Sequence, residues 1–263
     1  MKYPLYQLDA FTDRRFGGNP AAVVLLDAWL PDATLAAIAA ENNLAETAFV
    51  IPRADVSPLR WFTPTVEVDL CGHATLATAD VLLRHRFASL DRIVFSSKSG
   101  ELVVTRAGAL LQMDFPARPG KPVEVSDALA AALGARPREA YLARDLLAIL
   151  DSEAEVRALR PDFARIAALD AFAVIVSAPG DNVDFVSRFF APRAGIAEDP
   201  VTGSAHCTLT PYWAARLGKN KLRAKQVSAR GGDLLCELSG ERVLIAGKVV
   251  EYLRGEIEIE ASD

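Results

Sequence analysis

Two segments of the chain are apolar on nearly every side of a helical pattern. Residues 73–84 form the first, and residues 204–217 repeat the pattern in the second half. A helix that is apolar all round has to be buried within a protein rather than lie on its surface. Residues 32–42 are apolar only at helical spacing, which predicts a peripheral helix. Each half of the chain is therefore predicted to enclose one central helix.

Short apolar runs bounded by Gly, Pro and Asp predict strands around these helices. In the first half the runs are 5–11, 21–26, 47–51, 60–62, 93–97, 101–105 and 110–115. A turn at residues 17–20 separates the first two. Residues 116–122, stiffened by prolines, predict a linker, so we expect an N-terminal half at 1–116 and a C-terminal half at 117–263. Pro211, inside the second central helix, has no explanation in the sequence.

One stretch of sequence occurs twice, about half a chain apart. Residues 60–75 read RWFTPTVEVDLCGHAT, and residues 188–206 read RFFAPRAGIAEDPVTGSAH. Both run from an Arg-aromatic-Phe strand to an acid and a glycine before a central helix, namely Asp69 and Gly72, then Asp199 and Gly203. Such duplication predicts an α+β fold of two pseudo-symmetric halves, each a mostly antiparallel sheet wrapped around its helix. A small molecule is expected in the cleft between them.

Composition narrows the function classes. The formal net charge of −5 argues against a non-specific nucleic-acid binder. No run of apolar residues approaches the length of a membrane span, and the start lacks a signal-peptide pattern. The three cysteines show no paired framework, which fits free thiols in a reducing compartment. We therefore expect a cytoplasmic protein whose partner is a small molecule.

The loops at Gly72 and Gly203 are candidate anion-binding sites. Free backbone N–H groups at a helix N-terminus attract carboxylate or phosphate, and glycine lets the ligand approach closely. The alternative is that these glycines only make tight turns and that Thr202 or Ser204 only caps its helix. Two related loops favour the ligand-binding interpretation.

Three further side chains are candidates for proton chemistry. Asp199, in a loop before the second central helix, is suited to bind an amine or to act as an acid or base, whereas Asp69 ends a strand and is expected to be structural. His73 begins the first central helix, and the helix dipole predicts a lowered pKa for its imidazole. The spacing of the three histidines matches no metal site.

Glu46 lies between a predicted helix and strand, next to Leu44, Ala45, Ala48 and Phe49. A carboxylate among such neighbours is partly desolvated, which would raise its pKa toward the range useful for proton transfer. On the residues alone, an ordinary glutamate that reaches water remains the favoured alternative.

With these residues assembled, the chain resembles the phenazine-biosynthesis PhzF-like isomerase family. The motifs are LDAFTDRRFGGNPAAV at 8–23, NLAETAFV at 43–50, RWFTPTVEVDLCGHATLA at 60–77 and GIAEDPVTGSAH at 195–206. They cover essentially the whole chain in the family's order. The resemblance implies the diaminopimelate-epimerase-like fold, which agrees with the duplication found in the residues.

The resemblance also implies a mechanism without metal or organic cofactor. A glutamate, here Glu46, shuttles a proton between carbons of the substrate, and a homodimer is the family's assembly. The remaining roles implied are substrate holding and assistance by His73, Asp199 and Ser204, and carboxylate binding around Gly72, Ala74, Thr202 and Gly203.

One departure leaves the substrate and one alternative mechanism open. The phenazine enzyme has Ala-Gly-His-Pro at the first loop, where this chain has Cys71-Gly72-His73-Ala74. Racemases and epimerases on this fold use two opposed thiols, and Cys71 occupies the first of those positions. A mixed pair of Cys71 and Asp199 is therefore an alternative, as is a non-catalytic small-molecule-binding protein on the same fold.

Overall fold

The chain divides into two compact units in a computed structural model that describes residues 1–260. The first unit holds residues 1–114 together with the chain from Ala246 onward, and the second holds Phe115–Ile245. Within the described residues, no helix is both long and apolar enough to cross a membrane. Each unit is a mixed sheet with one buried central helix, which confirms the predicted fold class.

The first unit follows the pattern of the sequence closely. Its elements are β1 (Lys2–Ala10), β2 (Asn19–Leu25), α1 (Asp32–Asn42), β3 (Glu46–Val50), β4 (Ser57–Phe62), β5 (Glu67–Val68), α2 (Gly72–His85), β6 (Arg92–Ser97), β7 (Gly100–Ala107) and β8 (Leu110–Pro116). Neighbouring strands pair antiparallel except β2 with β3 and β4 with β6. In α2 every residue from His73 to Leu83 is buried, as an all-round apolar helix requires.

The second unit carries more peripheral helix. Its elements are β9 (Lys121–Val123), α3 (Asp127–Leu133), β10 (Glu139–Leu142), β11 (Leu146–Ile149), α4 (Glu153–Ala158), α5 (Phe163–Ala167), β12 (Val174–Pro179), β13 (Phe185–Ala191), β14 (Ile196–Asp199), α6 (Gly203–Leu217), β15 (Lys221–Gln226), β16 (Gly232–Ser239) and β17 (Arg242–Gly247). A 3₁₀ turn at Pro192–Ala194 joins β13 to β14. The predicted linker at 116–122 overlaps β9, which pairs antiparallel with β10, so its last two residues belong to the sheet.

The last strand returns to the first unit, which the predicted division at 116/117 did not include. β18 (Val249–Glu258) pairs antiparallel with β1 over its whole length, from Lys2 opposite Glu258 to Ala10 opposite Val249. Period-2 alternation marks a strand but carries no information about its partner. The residues after Ala246 therefore belong with the N-terminal half of the sequence, although they follow the C-terminal half.

The hydrogen bond that Pro211 removes from its helix is replaced by one from the segment that leads into the second unit. A proline inside a helix has no N–H for the carbonyl four residues earlier, here that of Cys207. The backbone N–H of Arg118 donates to the Cys207 carbonyl instead, at 2.8 Å. The missing bond of the helix is thereby replaced, and the start of the second unit is fixed against α6.

The duplicated arginine has the same role in both units. Arg60 makes two hydrogen bonds to the carboxylate of Glu67, at 2.7 and 2.8 Å, and Arg188 makes the same pair with Glu198. Hydrogen bonds from the Arg60 guanidinium lower the pKa of Glu67 to about 2. Each pair joins the strand of the Arg to the short strand that leads into the central helix.

We expect Gly18→Ala to prevent the first unit from folding normally. Gly18 has a φ of +60°, and an added Cβ would lie 2.1 Å from the carbonyl oxygen of Ala10, so the β1–β2 turn would have to move. Gly108→Ala is a matched control, because Gly108 has a φ of +65° but open space around it. Thermal unfolding should show a loss of about 1 kcal/mol for the control and several times more for Gly18→Ala. Equal losses in the two variants would contradict this.

Candidate active site

Glu46, His73 and Cys71 lie together in the first unit. Glu46 is the first residue of β3, and His73 is the second residue of α2, directly after the loop that holds Cys71. His73 Nε2 is 3.2 Å from Glu46 Oε2, and Cys71 Sγ is 3.6 Å from His73 Nδ1. The imidazole thus separates the carboxylate from the thiol, with one ring nitrogen facing each.

The facing atoms of Glu46 and His73 are buried without hydrogen-bond partners. Among the described residues, neither Glu46 Oε2 nor His73 Nε2 has one, and their approach to 3.2 Å is an ion-pair contact. The side chain of Glu46 is only 12% exposed, so it does not reach freely into water. Buried polar atoms are rarely left unpaired in proteins, and those that are call for a functional explanation.

Asn19, which the sequence placed only in a turn, orients the imidazole. Its Nδ2 lies 3.1 Å from His73 Nδ1, and both side chains are buried. An amide that donates to Nδ1 of a neutral imidazole leaves the ring hydrogen on Nε2. The imidazolium also carries a hydrogen there, so an N–H faces Glu46 in either protonation state.

The prediction of a lowered pKa for His73 is wrong, since its pKa is raised well above the usual value. Burial does lower it, as the largest single effect, but the neighbouring Cys71 and Glu46 side chains raise it, and together they outweigh burial. A nearby carboxylate favours the imidazolium, in the direction opposite to the helix dipole. The sequence could not show that Glu46 lies beside this ring.

Cys71 is an unreactive thiol in these surroundings. Burial, followed by the charge of Glu46, raises the pKa of Cys71 to about 11. Only the thiolate acts as a base or a nucleophile, and at neutral pH almost none forms at such a pKa.

The same three residues are the donor types that bind metal ions. One ligand atom from each of Glu46, Cys71 and His73 lies within 4.8 Å of the others, a grouping that histidine spacing could not predict. In the observed arrangement, however, Cys71 faces Nδ1 and Glu46 faces Nε2.

Asp199 ends β14 in the second unit and is held by Thr202 and Gln226. Its carboxylate accepts a hydrogen bond from the Thr202 hydroxyl, and its carbonyl accepts one from Gln226 Nε2 at 2.7 Å. Gln226 Oε1 accepts from the Thr202 N–H at 2.9 Å. Asp199 is buried, whereas Asp69 is exposed, so the two repeat positions have different surroundings.

Both central helices begin without a side-chain cap. In the part of the chain that the structure describes, neither Cys71 before α2 nor Thr202 before α6 makes a capping hydrogen bond with its side chain, whereas Ser126, Ser152 and Asp162 cap α3, α4 and α5. Thr202 and Ser204 are therefore not N-capping side chains. First-turn N–H groups at Gly72 and Gly203 remain suited to an anion.

Not every predicted binding residue offers its side chain. The Ala74 side chain is fully buried, so only its backbone is suited to bind a ligand. Thr202 has already given its N–H and its hydroxyl to Gln226 and Asp199. Ser204 is half-buried, and its Oγ accepts a hydrogen bond from Arg144 Nη2 at 3.2 Å.

The predicted site residues thus form two clusters, one in each unit. Glu46, His73, Gly72 and Ala74 belong to the first unit, and Asp199, Thr202, Gly203 and Ser204 belong to the second. Sequence reasoning missed Asn19, Gln226 and Arg144, whose side chains orient the residues that it found. Asn19 follows a glycine pair in a quoted motif; the other two have no local signal.

Known proteins are similar to this chain over almost its whole length. The phenazine biosynthesis-like protein family matches residues 8–255. An uncharacterized isomerase of Pseudomonas aeruginosa is 52% identical over 259 residues, which are 98% of this chain and 100% of the relative.

Solved structures agree. A PhzF family protein of Enterococcus faecalis superposes with a TM-score of 0.97 at 48% identity, covering 98% of this chain and 100% of that one. A predicted epimerase of Pseudomonas aeruginosa, at 22% identity and a TM-score of 0.75 over 98% of this chain and 100% of that one, shares the fold. Since both the sequence and the fold match from end to end, the chain belongs to the phenazine biosynthesis-like (PhzC-PhzF) family.

Proposed function

We propose that the protein is an isomerase that moves a proton between carbons of a small carboxylate-bearing metabolite, with Glu46 as its acid and base. The observation that carries the proposal is the buried pair of Glu46 Oε2 and His73 Nε2, which face each other without hydrogen-bond partners. A substrate would supply those partners. The relative at 52% identity is named an isomerase, which supports the same class of reaction.

In the proposed mechanism Glu46 accepts a proton from a substrate carbon. The electron pair of the broken C–H bond moves into the substrate's conjugated system, and the N–H on His73 Nε2 stabilises the charge that develops. Glu46 then returns the proton to a second carbon, so no atom is gained or lost. A positioned carboxylate and a nearby cation supply the parts that this chemistry needs, and no cofactor has a step in it.

We propose that the backbone N–H groups at the start of each central helix, at Gly72 in the first unit and at Gly203 in the second, are anion sites suited to a substrate carboxylate. The absence of side-chain caps on α2 and α6, within the described residues, supports this. Asp199 is proposed to hold a polar group of the substrate, and Ser204 to donate a hydrogen bond. The contacts of Thr202 and Gln226 support a fixed orientation for Asp199.

Solvent-deuterium exchange into a panel of small carboxylates, followed by NMR, tests the proposed reaction class. Chelator-treated protein in D₂O should introduce carbon-bound deuterium into at least one compound of the panel. A reaction that requires added metal would contradict the cofactor-independent mechanism. Binding of panel compounds without exchange would favour the alternative of a non-catalytic binding protein.

The thiol alternative, with Cys71 and Asp199 as an acid–base pair, predicts a different dependence on Cys71. We expect Cys71→Ala to keep its exchange rate within about threefold of wild type, because the protonated thiol contributes no base. Cys207→Ala is a matched control, since Cys207 is also a buried thiol with a pKa of about 11. Loss of exchange in Cys71→Ala alone would contradict the Glu46 mechanism and favour the thiol.

A homodimer remains our expectation from the family. Sedimentation equilibrium of the purified chain would test it, with a single monomer mass as the contradicting result.

A further inference from the structure

Arg144 is held in the turn between β10 and β11 by three contacts in the second unit. Its Nε and Nη2 donate to the carboxylate of Asp145, at 3.0 and 2.8 Å, and its guanidinium lies 4.8 Å from the centre of the Phe172 ring. Asp145 is only 2% exposed, so the anchor of the guanidinium is a buried carboxylate. A planar guanidinium bound in this bidentate way has little freedom to turn.

The third contact of Arg144 is with Ser204, the side chain proposed to donate a hydrogen bond to the substrate. Nη2 also donates to Ser204 Oγ at 3.2 Å. A serine hydroxyl has one hydrogen and two acceptor lone pairs, so a donor on one lone pair turns the hydroxyl hydrogen away from that donor. Donation from a cation also polarises the hydroxyl and strengthens the hydrogen bond that it donates in turn.

We propose that Arg144 is a positioning residue that fixes the Ser204 hydroxyl as a hydrogen-bond donor to the carboxylate of the substrate. The inference rests on the proposed function for the role of Ser204, and it adds the residue that sets the direction of that hydroxyl. Asp145 contributes to this positioning because it holds the Arg144 guanidinium in place. Without Arg144, the hydroxyl would rotate and would donate to the carboxylate less often.

Titration of ¹⁵N-labelled protein with benzoate tests this without any turnover. Benzoate is a planar carboxylate, and saturable shifts of the backbone amides at residues 203–205 measure its binding. We expect Ser204→Ala to weaken binding about tenfold, as for the loss of one hydrogen bond to a charged group. Arg144→Lys keeps a cation beside Asp145 but loses the fork that reaches both partners, and it should weaken binding by a similar factor.

The double variant distinguishes positioning from direct contact. If Arg144 acts through Ser204, Arg144→Lys should add nothing in a Ser204→Ala background. If the losses of affinity in the two single variants multiply in the double variant, Arg144 binds the carboxylate itself. That result would overturn the proposal. Unchanged affinity in Arg144→Lys, with a loss in Ser204→Ala, would also overturn it.

Two further variants guard against misfolding. Arg144→Gln with Asp145→Asn leaves no unpaired buried charge and should match Arg144→Lys in affinity. Arg136→Lys changes an arginine of the same unit in an exposed ion pair with Asp127 and should bind benzoate as wild type does. If Glu46 does not transfer protons, the coupling between Arg144 and Ser204 in benzoate binding can still be measured. If the wild-type protein shows no saturable shifts at 203–205, the role of Ser204 and the inference are both overturned.

Discussion

Glu46→Gln is expected to lower the rate of proton transfer by about 10³-fold or more, within the range for loss of a general acid–base group. The amide is close in shape to the carboxylate but accepts no proton at neutral pH. Glu46 contacts His73 at the start of β3, and glutamine keeps the size of the side chain there, so the change should leave the fold intact. The same variant should still bind the substrate.

Deuterium exchange compares Glu46→Gln with the wild-type protein, and Glu41→Gln is the control variant. Glu41 is an exposed residue of α1 and carries the same change of charge, so it should exchange at the wild-type rate. Exchange that survives in Glu46→Gln would contradict the assignment of the base. Loss of substrate binding together with loss of exchange would show that Glu46 holds the substrate rather than moving its proton.

Arg188→Leu is expected to lower the free energy of unfolding by about 3–5 kcal/mol. The substitution leaves the carboxylate of Glu198 largely buried without its cation, and it removes hydrogen bonds from Arg188 to the carbonyls of Val156 and Leu159. Arg188 is also stacked on Phe190 at 5.0 Å. The pair of Arg188 with Glu198 joins β13 to β14, so the loss should also disturb Asp199, which ends β14.

Urea unfolding at pH 7 measures this effect, with Arg165→Leu as the control. Arg165 pairs with Asp162 on the surface, and loss of such an exposed pair costs less than about 1 kcal/mol. If the two variants lost similar stability, the duplicated Arg–Glu pairs would not be the structural element that we describe. A stable Arg188→Leu with normal turnover would contradict the link to Asp199.

The central helices and the duplicated loops could be predicted because their signals are local. The all-round apolar pattern of 73–84 forced that helix into the core, and the structure has it at Gly72–His85. Strand existence followed from short apolar runs in the same way. The partner of β18 could not be predicted, because pairing between β1 and β18 joins the two ends of the sequence.

The residues of the candidate site also divide into those with a local sequence signal and those without one. Glycines before helices, and acids beside them, are signals that can be read locally, so Gly72, Gly203 and Asp199 could be named as candidates from the sequence. The pKa of His73 was predicted in the wrong direction because it depends on Glu46, which is distant in sequence and adjacent in space. Asn19 and Arg144 escaped notice because their roles are single side-chain contacts with residues far along the chain.

The most direct test of Glu46 as the single acid and base follows the proton itself. A substrate found by the exchange experiment is labelled with deuterium at the carbon that loses the proton and is converted in H₂O under single-turnover conditions. If one carboxylate removes and returns the proton, part of the deuterium should appear at the second carbon of the product with wild-type protein, and Glu46→Gln should form no product. Complete loss of deuterium to solvent, with product formed at the normal rate, would contradict transfer by a single glutamate.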